Sequence, residues 1–270
     1  MTQSLAFTCL MPVWRGDRPA DFSAALDTVF ASTRPPDDLV LCEDGDLGPE
    51  LEVIAARAEF YHGARRVRNP GPHGLHHNLN FALRQVRTPW VARADADDLN
   101  ALDRFALQTA WLEAHPDIGV LGGDLIEFWP DGRTRHKTMP TTHADIAHWA
   151  RWRSPVNHNT VFYRTEDVLT CGGYPDIPLK EDYGLWLKLL ASGVRFANLR
   201  ADLVRARMGE TFYERRAGLK NLSSEWSLHR LKQSSEALRG PTATVAFVAR
   251  AAALATAPLT KTVYDLGLRH

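Results

Sequence analysis

The sequence predicts an α/β fold in which a mostly parallel sheet is flanked by helices. Three observations predict it. Short apolar runs suited to strands alternate with apolar stripes at helical spacing through the first half of the chain. A polar or aromatic cluster follows three of those runs at the carboxyl end: residues 12–14, Glu43-Asp44 and residues 95–98. Hydrophobic residues make up 44% of the 270, which suits a packed core in one large domain or one domain with an appendage.

The elements follow in order. Residues 7–11 form an apolar strand that ends at Pro12. Phe22, Ala25, Leu26 and Val29 then recur at helical spacing. Residues 39–42 read as the next strand, closed by Glu43-Asp44-Gly45, and residues 51–60 as a helix. Leu75, Leu79, Ala82, Leu83 and Val86 form another stripe, broken by Thr88-Pro89 before the strand that leads to Asp95. Residues 102–115 read as a helix stopped by Pro116, 119–128 as strand, and 160–163 as a short strand. Lys180-Glu181-Asp182 opens a helix carrying Leu185, Trp186, Leu189 and Leu190, which ends near Gly193. From about Gly209 the chain reads as helical and more polar. The expected division is a catalytic domain over 1–208, with a donor half to about 100 and an acceptor half after it, and a helical extension over 209–270.

Composition narrows the function. Lys plus Arg equals Asp plus Glu at 32 each, which argues against a dedicated nucleic-acid binder. Cys9, Cys42 and Cys171 lack paired metal-ligand spacing, and two of them sit in apolar runs. Buried reduced thiols and a cytoplasmic chain are expected. The N-terminus reads into a strand with no basic leader. The apolar run 244–257 is broken by Arg250 and suits a packed helix or an interfacial one. Peripheral membrane contact is one expectation for it.

The acidic run Asp95-Ala96-Asp97-Asp98 carries the most chemistry. At an extended strand end, Asp95 and Asp97 point to the same side. Converging carboxylates repel unless a cation neutralises them. Their hard oxygens favour Mg2+ or Mn2+ over zinc, with open positions left for phosphates. A nucleotide-diphosphate substrate follows. The plainer alternative for Asp97 and Asp98 is capping of the helix near Leu102. His62, His73, His76 and His77 make no zinc set by spacing.

Taken together, the motifs resemble the family 2 glycosyltransferases, which have the GT-A fold. Met11-Pro12-Val13-Trp14 is similar to that family's opening Pro-Val-Tyr stretch, with Trp14 in place of tyrosine. Leu41-Cys42-Glu43-Asp44-Gly45 is similar to its second-strand acidic pair. Ala92-Arg93-Ala94-Asp95-Ala96-Asp97-Asp98 is similar to its metal motif, and Asp103-Arg104-Phe105 follows. Pro178-Leu179-Lys180-Glu181-Asp182-Tyr183-Gly184-Leu185-Trp186 resembles the acidic pair before the acceptor helix. Arg15 departs from the family's asparagine, and the stretch from Asn69 to Leu75 is longer than its Asn-x-Gly-Leu. The pattern is closest to bacterial enzymes of exopolysaccharide and lipopolysaccharide assembly.

That resemblance implies transfer of a sugar, with inversion, from a nucleotide-diphosphate donor such as a UDP-sugar to a hydroxyl of a saccharide or lipid-linked saccharide. Pro12, Trp14, Glu43, Asp44, Gly74, Asn80, Asp95, Ala96 and Asp97 become candidate donor contacts. Asp97 and Asp95 become candidate metal ligands, with Asp95 alternatively at the ribose. Asp44 suits the imide proton of uracil, since a carboxylate accepts it; its alternative is a turn aspartate before Gly45. Trp14 stacks on the base or ribose, or packs at a strand end. Alternation turns one of Glu43 and Asp44 away from the ligand.

Asp182 is the candidate base, with Glu181 beside it; a neighbouring like charge and partial desolvation raise a carboxylate's basicity. First-turn capping is compatible with that role. Asn157, His158, Lys180 and Trp186 are candidate acceptor contacts, with loop structure or core packing as the alternatives. Trp149 and Trp152 flank Arg151 and Arg153, a pattern suited to a lipid-diphosphate acceptor or to a solvated surface. Rival functions are a sugar-phosphate nucleotidyltransferase and a catalytically silent nucleotide-sugar-binding module. The stretch 12–17 holds a single glycine, against the glycine-rich loop the first rival requires.

Overall fold

The computed structural model describes residues 5–209, 221–235 and 238–255. Strand β1 (Phe7–Val13) lies between β2 (Asp38–Glu43) and β4 (Trp90–Arg93) and runs parallel to both. Strand β3 (Arg65–Arg68) extends the parallel run beyond β2. Helices α1 (Pro19–Phe30), α2 (Pro49–His62) and α3 (Leu75–Leu83) make the crossovers. Because β2 and β4 leave β1 on opposite sides, the strand order reverses beside β1. In open α/β sheets a ligand crevice forms at such a point, beyond the carboxyl ends of the strands.

The second half builds on this frame. It comprises β5 (Leu99–Asn100), α4 (Arg104–Ala114), β6 (Ile118–Phe128), β7 (Thr134–Lys137), α5 (His143–Trp149), β8 (Phe162–Arg164), α6 (Thr165–Thr170), α7 (Glu181–Ala191) and β9 (Arg195–Arg207). The sheet order is β3-β2-β1-β4-β8-β6-β9-β5, with β7 paired to β6. Strand β8 is antiparallel to both β4 and β6, and β9 is parallel to β6. The expected α/β frame is therefore parallel in the first half of the chain and mixed beyond it. Helices α8 (Leu222–Gln233) and α9 (Pro241–Ala255) follow.

Both faces of the sheet are covered, so β1 is apolar on both sides. Cys9 and Met11 join one cluster with Phe7, Phe22, Phe105 and Phe162. Leu10 joins the other with Val40, Leu79, Tyr163, Trp186 and Phe196. The Phe7 ring lies 5.3 Å from Phe105 and 4.9 Å from Phe162, which locks α4 onto the sheet. Each such ring contributes roughly 1.5–3 kcal/mol when fully buried.

Pro12 stands inside β1 instead of ending it. Its nitrogen faces the β4 side, and β4 pairs with β1 only as far as Leu10, so the ladder there needs no donor. The helix expected from 102 begins at Arg104, with Asp103 before it. The strand expected at 160–163 is a 3-10 turn, His158–Thr160, followed by β8. Cys9 and Cys42 are buried free thiols, and Cys171 is half-buried. The apolar run 244–257 falls in α9 as far as 255, and its last two residues lie outside the described residues. Among the described residues no helix is long and apolar enough to cross a membrane.

Candidate active site

The carboxyl ends of β2, β1 and β4 adjoin, and each hands its cluster to the same crevice. After β4 the chain turns, with the Asp98 amide donating to the Asp95 carbonyl at 3.5 Å. A turn, not the expected extended strand end, therefore gathers the aspartates. Carboxylate oxygens of Asp95, Asp97 and Asp98 all lie within 4.8 Å of one another.

The three differ in their partners. Asp95 accepts from Arg93 Nη2 at 2.5 Å. Asp98 is buried and takes the Asn159 amide at 2.5 Å and the backbone amide of Arg207 at 2.8 Å. It thereby ties the turn to β9 and does not cap α4. Asp97 opens to solvent. Crowding by protein, then the negative charges of Asp95 and Asp17, push its carboxyl up to about 7. Arg207 completes the cradle: its Nε donates to the Asp97 carbonyl at 3.2 Å, and its Nη2 lies 3.1 Å from Asp21.

The oxygens of this turn fit a hard divalent cation, since all three groups are carboxylates and their mutual repulsion calls for a positive charge. Arg93 supplies part of it. Its side chain is 1% exposed, an arginine inside an otherwise apolar strand. The charge of Asp95 holds its guanidinium in the charged form against burial. Arg104, fully buried on α4, donates to the Arg93 carbonyl at 2.8 Å and pins the end of β4.

Alternation decides the acidic pair after β2. Glu43 is 1% exposed and accepts from Arg66 at 2.5 Å and Arg68 at 2.7 Å. Expected among the donor contacts, it is instead a buried tie between β2 and β3. Asp44 faces the other way. Its oxygens accept from the Gly74 amide at 2.9 Å and contact His73 Nδ1 at 3.0 Å. Gly74 thus meets Asp44 at the start of α3, in a positive-φ conformation. Trp14 is 53% exposed, and its amide donates to Asp17 at 2.9 Å. Its ring lies across Gly16, where an added Cβ would meet it at 2.3 Å. Burial pushes the Asp17 carboxyl up to about 6. Ala96 is buried within the acidic turn.

Asn80, a candidate donor contact, is half-buried. Its amide bonds the Tyr174 backbone in both directions, each at 2.8 Å. Gly173 permits this contact, since a Cβ there would meet Asn80 Oδ1 at 2.2 Å.

Glu181 and Asp182 occupy the first turn of α7. Tyr174, bonded to Asn80 of α3, feels the charges of both Arg93 and Asp182. His158 is half-buried, with its pKa held well down by desolvation and then by Arg93; its Nε2 lies 2.9 Å from the Tyr174 hydroxyl. Asn157 is buried and donates to the Gly123 carbonyl at 2.9 Å. Trp186 is fully buried against Phe196 and His158. These three, expected at the acceptor, hold one another and the scaffold through these contacts. Lys180 lies 2.8 Å from Glu225 on α8. Arg153 stacks on Trp149 at 3.8 Å.

Of the four histidines, His62 stacks on Phe30, and His73 lies beside Asp44. His76 and His77 sit together with Asp176. The spacing predicts no such set, yet the two rings lie 3.8 Å apart, and ligand atoms of His76, His77 and Asp176 fall within 4.8 Å of one another.

Sequence reasoning missed Arg93 as a site residue, together with Asp17 and Arg207. An arginine in a buried strand next to an aspartate is itself a signal, since a buried charge needs a partner. The Arg207 contact has no local signal.

Fold and site define a nucleotide-sugar transferase architecture. The family model for "Glycosyl transferase family 2" matches residues 9–173, and the chain belongs to that family. It is 32% identical to the amylovoran biosynthesis glycosyltransferase AmsE of Erwinia amylovora over 226 residues, 84% of this chain and 85% of the relative. It is also 32% identical over 221 residues to the UDP-Gal:alpha-D-GlcNAc-diphosphoundecaprenol beta-1,3-galactosyltransferase of Escherichia coli, with 81% and 80% covered. The crystal structure of S. aureus TarS 1-349 in complex with UDP-GlcNAc superposes with a TM-score of 0.69 at 14% identity, covering 97% of this chain and 76% of that one. The fold is that of the GT-A glycosyltransferases, and the chain is a glycosyltransferase.

Proposed function

We propose that this chain moves a sugar, with inversion, from a UDP-sugar to a hydroxyl of a saccharide or lipid-linked saccharide in bacterial surface-polysaccharide assembly. Mg2+ or Mn2+ assists. The observation that carries this reading is the acidic turn after β4, where three carboxylates crowd together at the switch point of the parallel sheet. The relatives' names support the donor class and the acceptor class.

Asp97, which has no ion-pair partner among the described residues, is the first ligand, and Asp95 joins it or meets the ribose. When bound, the cation neutralises charge that grows on the departing diphosphate. Asp95 is oriented by Arg93, and the backbone of the turn is fixed by Asp98 through Asn159 and Arg207. Asp44 reads the nucleobase from the end of β2, and Trp14 covers the base or ribose. Asp182, at the head of α7 with Glu181 beside it, takes the proton from the attacking hydroxyl. Inversion by single displacement needs that proton acceptor on the sugar face opposite the leaving group.

A thermal-shift screen of nucleotide sugars, with Mn2+ and with chelator, tests the reading. A ligand that binds only the folded state raises the melting temperature by mass action. The proposal expects UDP and UDP-sugars to do so in Mn2+ and to lose the effect in chelator. Equal shifts with GDP- or dTDP-sugars would overturn the choice of base.

A further inference from the structure

Leu179 has φ +64, the one non-glycine residue in the left-handed region among the described residues. A side chain there crowds the following carbonyl, and such a conformation persists only where its surroundings fix it. Its own side chain is exposed and supplies no compensation. The strain sits three residues before Asp182.

The flanks of Leu179 are held from α8. Ser224 Oγ donates to the Pro178 carbonyl at 3.0 Å, and Glu225 pairs with Lys180 at 2.8 Å. Arg250 of α9 approaches Glu225 to 3.4 Å. Glu225 is buried; desolvation alone would raise its pKa, but Lys180 and Arg250 outweigh it and hold the carboxyl below its usual range. A buried carboxylate between cations is a weak source of stability, so its geometry is the property to explain. The far end of the same loop is anchored on α3 through Asn80 and Tyr174. The segment leading to Asp182 is slung between the donor half and α8.

We infer that α8 positions the base: Ser224 and Glu225 impose the left-handed backbone at Leu179 and so fix where Asp182 stands. Glu225 is a positioning residue, and the inference rests on Asp182 being the base.

The test is a cycle in the full-length chain between Glu225→Gln and Leu179→Gly, with Ser224→Ala as a milder second probe and Asp182→Asn as a control. Turnover is read as UDP released from a panel of UDP-hexoses, with N-acetylglucosaminyl-diphosphoundecaprenol as acceptor. Hydrogen exchange across residues 175–183 gives a readout independent of substrate. Misplacing a catalytic group by a fraction of an ångström costs on the order of tenfold to a hundredfold in kcat. We expect Glu225→Gln to lower kcat on that scale with UDP affinity unchanged, and to speed exchange in 175–183. Glycine adopts the left-handed state freely, so the loss should shrink markedly in the Leu179→Gly background. Ser224→Ala should act in the same direction. Equal losses in both backgrounds, or a loss in UDP affinity alone, would overturn the inference. Full transfer by Asp182→Asn would instead remove the base assignment beneath it.

Discussion

Arg93 Nη2 stands 2.5 Å from Asp95 Oδ1, a guanidinium buried in the central strand reaching forward to the first carboxylate of the acidic turn. This pairing divides the labour of three neighbouring aspartates. Asp95 is charge-balanced from within the sheet, Asp98 is spent on Asn159 and β9, and Asp97 is exposed with no ion-pair partner among the described residues. Arg93→Lys keeps the charge but loses the fork that reaches both Asp95 and the Ala94 carbonyl. It should lower thermal stability by about 1–3 kcal/mol and weaken Mn2+ binding in calorimetry. Unchanged Mn2+ affinity would show that Asp95 orientation is immaterial to the metal.

Asp97 and Asp98 should separate by phenotype. Asp97→Asn is expected to fold normally and lose on the order of a hundredfold in kcat/KM, with little remaining response to Mn2+. Asp98→Asn leaves one accepting oxygen where the Arg207 and Asn159 amides each use one, so its main effect should be a lower melting temperature. Parallel kinetics and thermal melts of the two variants decide this, and reversed phenotypes would overturn the assignment.

Glu43 and Asp44 offer a similar contrast. Glu43→Gln breaks buried pairing to Arg66 and Arg68 and should cost about 1–3 kcal/mol of stability, with UDP affinity retained. Asp44→Asn should weaken UDP binding and leave stability near that of the parent. Isothermal titration with UDP would contradict the reading of β2 if Glu43→Gln were the variant that failed to bind.

Much of the donor half was legible because period and punctuation agree there. Apolar runs stop at Gly45 and Pro89, and the clusters near the ends of β1, β2 and β4 fall at adjoining strand ends. The roles within each cluster were less legible because they are set by distant partners. Asn159 lies 61 residues from Asp98, and Arg207 lies 109 residues from it. Strand β9 escaped a sequence reading for a local reason. Its arginines at 195, 200, 205 and 207 break the alternation, and its pairing with β6 shifts register around Asp124. Asn80, Asn157 and Trp186 are polar or aromatic residues near the site whose groups serve the scaffold, a difference visible only once their partners are placed.

Lys232 gives a pH dependence of stability. It is buried on α8, donates to the Arg151 carbonyl at 2.9 Å and lies 4.7 Å from the Tyr183 ring centroid. Burial, then the like charge of Arg250 and, less, of Lys180, pull its ammonium down to about 7, with Glu225 opposing. The folded-state value is below that of the unfolded chain. Its contribution is therefore present above about pH 10 and is lost as pH falls through about 7. Lys232→Met should flatten the fall in stability across this window and stabilise the protein at neutral pH by about 1–3 kcal/mol. Thermal melts from neutral to alkaline pH check it, and an unaltered slope would rule Lys232 out as the source.

The most direct test is Mn2+ titration in the presence of UDP, followed by loss of the free-ion electron paramagnetic resonance signal. The account predicts a site that saturates only with UDP present, survives Glu43→Gln and disappears in Asp97→Asn. A wild-type chain that binds UDP equally well in Mn2+ and in chelator would contradict it.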